Sequence, residues 1–195
     1  MNNIIKKTGL ALLIVLLSAC ATKIVPVKSK NVKIKEDFAL INKKDYDIAI
    51  QPQSWNDSPQ NLENYFTVFY LIFRNKTRET MPINKNSFVL LDEKGEQYNL
   101  FDSDEIVKIM YGNDQYYDMN YLLNFDSKDK EELKEEYATR LEGIRNIKLK
   151  AFQFRNIRSQ AQESGYIFFE KLEYKKGSFF KILYNNDVVE FAIID

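Results

Sequence analysis

Residues 64–75, NYFTVFYLIFRN, decide the fold. Phe66, Val68, Tyr70 and Ile72 alternate with Tyr65, Thr67, Phe69, Leu71 and Phe73, so an extended chain here carries apolar side chains on both faces. A strand of that kind belongs inside a sheet that is covered on both sides. Upstream, Tyr46, Ile48 and Ile50 alternate with Asp47, Ala49 and Gln51 until Pro52 ends the run, the pattern of a strand with one wet face. Downstream, residues 87–91 and 96–101 flank Asp92-Glu93-Lys94-Gly95, where the glycine supplies the positive φ of a hairpin turn. Further strands are expected at 147–154, 166–172, 178–184 and 188–194, with Asn185-Asn186-Asp187 as the last hairpin turn. Short strands joined by hairpins predict an all-β chain, either an antiparallel two-sheet sandwich or a barrel.

One segment has a different period. Over residues 126–143 (DSKDKEELKEEYATRLEG) Leu133, Tyr137 and Leu141, followed by Ile144, recur at spacings of four, four and three, which predicts one amphipathic helix. Asp126 and Asp129 resemble a capping pair, and Gly143 suits a left-handed residue at the helix end. The acids Asp129, Glu131, Glu132, Glu135 and Glu136 match no Ca2+ loop and read as a solvated face. Between hairpin and helix, residues 102–125 are rich in Asp, Asn and Tyr. Tyr111, Tyr116, Tyr117 and Tyr121 are candidate binding residues, because a long insertion in a sandwich loop is where recognition concentrates. The alternative is that these tyrosines pack the helix onto the sheet. Trp55, between Pro52 and Pro59, either caps one end of the core or joins a binding surface. Asp102 and Asp104 are the carboxylates that a hydrolase acting by general acid and base would use.

Composition narrows the chemistry. The 195 residues hold no His and a single Cys, which removes imidazole bases, His-bearing metal sites, disulfide frameworks and CxxC redox pairs. Balanced charge, 28 Lys and Arg against 28 Asp and Glu, offers no global attraction to nucleic acid. Nothing in the sequence calls for a cofactor or a metal.

The N-terminus carries an address. Lys6 and Lys7 precede an apolar run over residues 8–17, and Leu17-Ser18-Ala19-Cys20 follows. That order is a signal peptide's, and the run of about ten apolar residues is far short of the ~20 that a membrane-spanning helix needs. Leu-Ser-Ala-Cys resembles the lipobox of bacterial lipoproteins, which implies cleavage before Cys20 and a diacylglyceryl thioether on its sulfur. An ordinary cleaved signal with a chance Cys beside the cut is the alternative. Ala21 in place of an Asp implies, by the same resemblance, an outer-membrane lipoprotein facing the periplasm, or the outer side of the cytoplasmic membrane in a single-membrane cell. Residues 20–36, with Lys23, Lys28, Lys30, Lys33 and Lys35, are expected to form a flexible tether, or else an edge strand in which Val32 and Ile34 alternate with lysines.

A second resemblance covers roughly residues 46–194. YFTVFYLIFRNKT, FVLLDEKGEQYNLF and SGYIFFEKL resemble the strand and hairpin motifs of immunoglobulin-like domains found in many bacterial lipoproteins, with Asn75, Phe88, Leu90, Asp92, Gly95, Tyr98 and Gly165 in the motif positions. The family supplies no catalytic residues and implies an immunoglobulin-like sandwich. The expected organisation is therefore a signal peptide over 1–19, lipidated Cys20 and tether over 20–36, and a sandwich over 37–195 with a helical insertion at 102–145. The expected role is non-catalytic: a lipid-anchored module that binds or scaffolds another envelope protein through a strand edge or the tyrosine-rich insertion. Recognition of a glycan such as peptidoglycan is the alternative.

Overall fold

The computed structural model describes residues 23–112, 129–173 and 175–194. The fold is an all-β sandwich of two antiparallel sheets with a helical insertion. In chain order the first strands are β1 (Lys23–Val27), β2 (Val32–Lys35), β3 (Phe38–Asn42), β4 (Tyr46–Pro52) and β5 (Phe66–Asn75). They are followed by β6 (Met81–Pro82), β7 (Phe88–Asp92), β8 (Gln97–Tyr98) and β9 (Leu100–Phe101). Helices α1 (Ser103–Tyr111) and α2 (Asp129–Lys150) come next, and then β10 (Asn156–Ile157), β11 (Gln162–Glu170), β12 (Phe179–Tyr184) and β13 (Asp187–Ile194). One sheet has the order β1-β13-β12-β7-β8 and the other β2-β3-β4-β5-β11-β9, while β6 and β10 form a small separate pair.

The alternation read from residues 64–75 is satisfied on both sides. Phe69, Leu71 and Phe73 point between the sheets, where they join Ile48, Ile50, Phe180, Phe191 and Ile193 in the main core. Phe69 lies 5.2 Å from Phe191 and 5.8 Å from Phe180 between ring centroids, so the two sheets interlock through aromatic edges. Phe66 and Val68 point the other way, into a second core made with Trp55, Leu62, Ile106, Ile147 and Phe168. The insertion is thus the outer cover that a strand apolar on both faces requires.

Several expectations are corrected. The segment read as a tether is ordered from Lys23 onward: β1 pairs with β13 and β2 with β3. Ile24 and the buried Pro26 and Val32 supply apolar surface that a flexible linker would leave in water, and the proline is tolerated because β1 is an edge. Among the described residues two α-helices are present where one was expected, and α2 runs on to Lys150 where a strand over 147–154 was expected. The apparent alternation of Ile147, Leu149 and Ala151 misleads, because Leu149 is 70% exposed whereas Ile147 and, four residues on, Ala151 just past the helix end are both buried on one side. That face continues N-terminally through Gly143, a mid-helix residue and not a cap, while Leu141 faces water. The side chains of Leu133 and the Asp126 capping pair lie outside the described residues.

The strand expected over 96–101 is split. Tyr98 pairs with Leu90 in one sheet and Leu100 with Phe169 in the other, so the chain changes sheets at Asn99. Residues 28–31 make the same change between β1 and β2 on the opposite margin. Each lateral margin of the sandwich is therefore spanned by chain, and the edge β2 is short and carries Lys33 and Lys35 outward, a design that discourages strand addition.

Candidate binding surfaces

The loop over residues 53–61 is held from both ends. Trp55 is 4% exposed, with its ring 5.1 Å from Tyr166 and 5.7 Å from Phe168, and its backbone N–H donates to the Glu63 carboxylate. Trp55 thus belongs to the second core and is not part of an exposed binding surface. Beyond it, Asn146 Nδ2 donates to the Ser58 carbonyl at 3.2 Å and Lys150 Nζ donates to the Asp57 carboxylate at 2.5 Å, tying the loop to the C-terminal half of α2.

Tyr111 ends α1 and packs on α2. The Arg140 guanidinium lies 5.4 Å from the centre of its ring and donates to its carbonyl at 2.8 Å. Gly143 makes the contact possible: a Cβ there would come within 1.9 Å of the Tyr111 hydroxyl oxygen. Burial pushes the Tyr111 phenol above its ordinary pKa, against the smaller opposing pull of Arg140. Loop, Tyr111 and helix together bound an open groove of about 1050 Å3. Its rim carries Asp57, Glu135, Glu136 and Glu142, and Asn61 and Gln60 add amides. Lys150 pairs with Asp57, and Arg140 packs on Tyr111 but keeps its charge, so the three glutamates on α2 outnumber it and give the groove a net acidic field.

A second, smaller trough of about 570 Å3 lies on the outer face of the β2–β5 sheet, where Leu40, Ala49 and Ile72 form a floor beside Lys33, Lys43 and Arg74. Its charge is opposite to that of the groove. Lys43 reaches away to the buried carboxylate of Asp187 at 2.5 Å, which also accepts the Tyr46 hydroxyl at 2.6 Å. Burial, reinforced by that hydrogen bond, pushes the Tyr46 phenol far above its usual range.

The carboxylates near residue 102 are engaged in structure. Asp102 is the N-cap of α1, accepting the backbone N–H groups of Asp104 and Glu105, while the Glu105 carboxylate accepts the Asp102 N–H to complete a capping box. Lys85 Nζ donates to both acids, at 3.0 and 2.5 Å. Burial alone would raise the Asp102 pKa, but the Glu105 N–H and Lys85 outweigh it and hold the carboxyl below its ordinary value. A general acid needs the opposite displacement. Asp104, largely exposed, pairs with Lys148 at 3.1 Å.

Among the described residues, no three carboxylate or thiol groups come together as a metal site. Cys20, Tyr116, Tyr117 and Tyr121 lie outside the described residues. Among the described sequence candidates, Tyr111 lines the large groove, while Asp102 and Asp104 border a separate hollow of about 500 Å3 beside Lys85 and Phe152. Arg140, Gly143 and the α2 glutamates were not singled out as partners of Tyr111; the signal was Gly143 inside a continuing helical period, which marks a close approach. No family model, no curated protein and no solved structure matches this chain.

Proposed function

We propose that this chain is a lipid-anchored envelope protein whose immunoglobulin-like sandwich acts as a non-catalytic module binding or scaffolding another protein. The anchor is Cys20, three residues before β1, so the sandwich stands close to the membrane that holds the lipid. An outer-membrane position facing the periplasm follows from Ala21, by the lipoprotein resemblance. The observation that carries the binding role is the open acidic groove between the 53–61 loop and α2. It is too wide and polar for a small apolar ligand, and its three helix glutamates suit a partner segment bearing Lys or Arg. The amides and Tyr111 would also suit a sugar, which keeps glycan binding as the second reading, although the acidic rim disfavours an anionic polymer. Hydrolysis by Asp102 and Asp104 is the weakest reading, because those groups cap and pair within the fold.

The test is mass spectrometry of the membrane-derived chain together with in-cell crosslinking. An acylated Cys20 and one recurrent envelope protein, lost on Glu135→Lys/Glu136→Lys/Glu142→Lys and in high salt, is the expected result. A soluble chain with an unmodified Cys20 refutes the anchor. Retention on cell-wall sacculi without a protein partner refutes the protein-binding reading in favour of the glycan.

A further inference from the structure

The outer face of the β1–β13–β12–β7 sheet has no cover among the described residues. On β12, Phe179, Lys181 and Leu183 point outward, and on β13 Val188, Glu190 and Ala192 do so, while the residues between them are buried. Phe179 and Val188 are 45% and 42% exposed. The register joins them in three rows: Phe179 beside Ala192, Lys181 beside Glu190, Leu183 beside Val188. Each row sets a side chain against one complementary in size or charge. Although Lys181 and Glu190 are neighbours, they form no ion pair with each other or with other described residues.

We infer that this face seats a second copy of the same chain, packed sheet on sheet about a two-fold axis parallel to β12 and β13 and midway between them. Rotation about that axis places β12 of one copy over β13 of the other at equal height. Lys181 then meets Glu190 of the second copy twice, Phe179 covers the small Ala192, and Leu183 packs on Val188. Two aligned sheets about 10 Å apart can adopt this arrangement with their ordinary twist. An isologous contact also needs a self-complementary patch, which these three rows supply. The axis runs along the strands, so Lys23 of both copies emerges at the same end and both N-termini can reach one membrane. The dimer itself does not depend on the lipid anchor.

The first test is crosslinking of the unmodified full chain as a mixture of 14N- and 15N-labelled copies with a short amine-reactive reagent. Strands about 4.8 Å apart in sheets about 10 Å apart put the two Lys181 Cα atoms roughly 11 Å from each other. A mixed-isotope Lys181–Lys181 crosslink, which only two copies can form, is expected; its absence overturns the arrangement. Sedimentation velocity supplies the second test. Lys181→Glu and Glu190→Lys should each weaken the dimer by roughly tenfold or more, and the double exchange should restore it. A chain that stays monomeric at tens of micromolar, or a dimer indifferent to both single reversals, refutes the proposal.

Discussion

Replacing Gly165 by Ala tests how the insertion rejoins the sandwich. Gly165 lies on β11 opposite Leu71, and the chain leaving α2 passes directly against it: a Cβ would fall 2.6 Å from the Phe152 nitrogen and 2.8 Å from the Ala151 carbonyl carbon. These are backbone atoms, so no side-chain rotation relieves the overlap. Reaching ordinary contact at 3.4 Å requires a shift of about 0.8 Å, which would carry the Phe152 N–H, now donating to the Tyr166 carbonyl at 2.8 Å, out of hydrogen-bond range. Leaving that buried pair unmade costs about 1–3 kcal/mol. Forcing the 2%-exposed Phe152 out of its seat costs a further ~1–3 kcal/mol, while removing a strand glycine returns about 0.5–1 kcal/mol. The net destabilisation is about 1–5 kcal/mol, or a fall of roughly 0.5–2.5 M in the urea midpoint at a slope near 2 kcal/mol/M. Gly177→Ala is the control: its φ of +81° brings strain, but nothing lies within 4 Å of the added carbon. A Gly165→Ala midpoint within about 0.3 M of the parent chain would refute the close-approach argument.

Three further outcomes follow from the same structure. Asp187→Asn should cost about 1–2 kcal/mol in urea unfolding, since the Tyr46 hydroxyl and Lys43 lose a charged acceptor but Lys43 remains partly hydrated. Asp102→Ala should cost about 1 kcal/mol by removal of the α1 cap, with hydrogen exchange rising first over residues 103–106. Stability should also fall steeply in alkali. Burial raises the phenol pKa of Tyr46, Tyr98, Tyr111, Tyr166 and Tyr184, so near pH 10 the unfolded chain releases protons that the folded chain retains. The stabilisation is complete below that pH and declines above it, by up to about 1.4 kcal/mol per pH unit for each such tyrosine. A flat urea midpoint between pH 9 and 11 would contradict this.

The strands of the sandwich were legible wherever burial has period two. β5, β12 and β13 each have one wholly buried row, and a register slip by one would turn Phe180, Phe191 or Phe73 to the other face. The misread places have physical causes. Lysines at 23, 28, 30, 33 and 35 suggest a solvated linker, yet only the alternate positions Ile24, Pro26 and Val32 pack inward, and edge strands carry such lysines routinely. Helix α1 escaped notice because a single residue, Ile106, is fully buried in nine, too little to declare a period. Tyr111 was legible as a residue of interest but its partners were not, since Arg140 and Gly143 meet it across 29 and 32 positions of chain.

The same logic that placed β5 bears on β13. A strand apolar on both faces implies cover on both, and for β5 the cover comes from within the chain: Trp55, Leu62, Ile106 and Ile147 shield Phe66 and Val68. Outward positions on β13 read Val188, Glu190, Ala192 and Ile194, and those on β12 read Phe179, Lys181 and Leu183, so these strands also carry apolar residues on the face away from the core. Both helices lie over the opposite sheet, and no other described element crosses this one. On the open part of the other sheet the apolar Leu40, Ala49 and Ile72 are interspersed with Lys33, Asp47 and Arg74, whereas the outward positions of β12 and β13 carry one charged pair among apolar residues. The charged row shared by β12 and β13 is a Lys beside a Glu, and it is the row that a two-fold axis turns into two intermolecular pairs. Phe179→Ser/Val188→Ser should therefore leave the urea midpoint nearly unchanged under conditions where the chain is monomeric, and lower it where the parent chain is dimeric. An equal loss at both concentrations would mean that the apolar face stabilises the single sandwich, and the case for a second copy would fall with it.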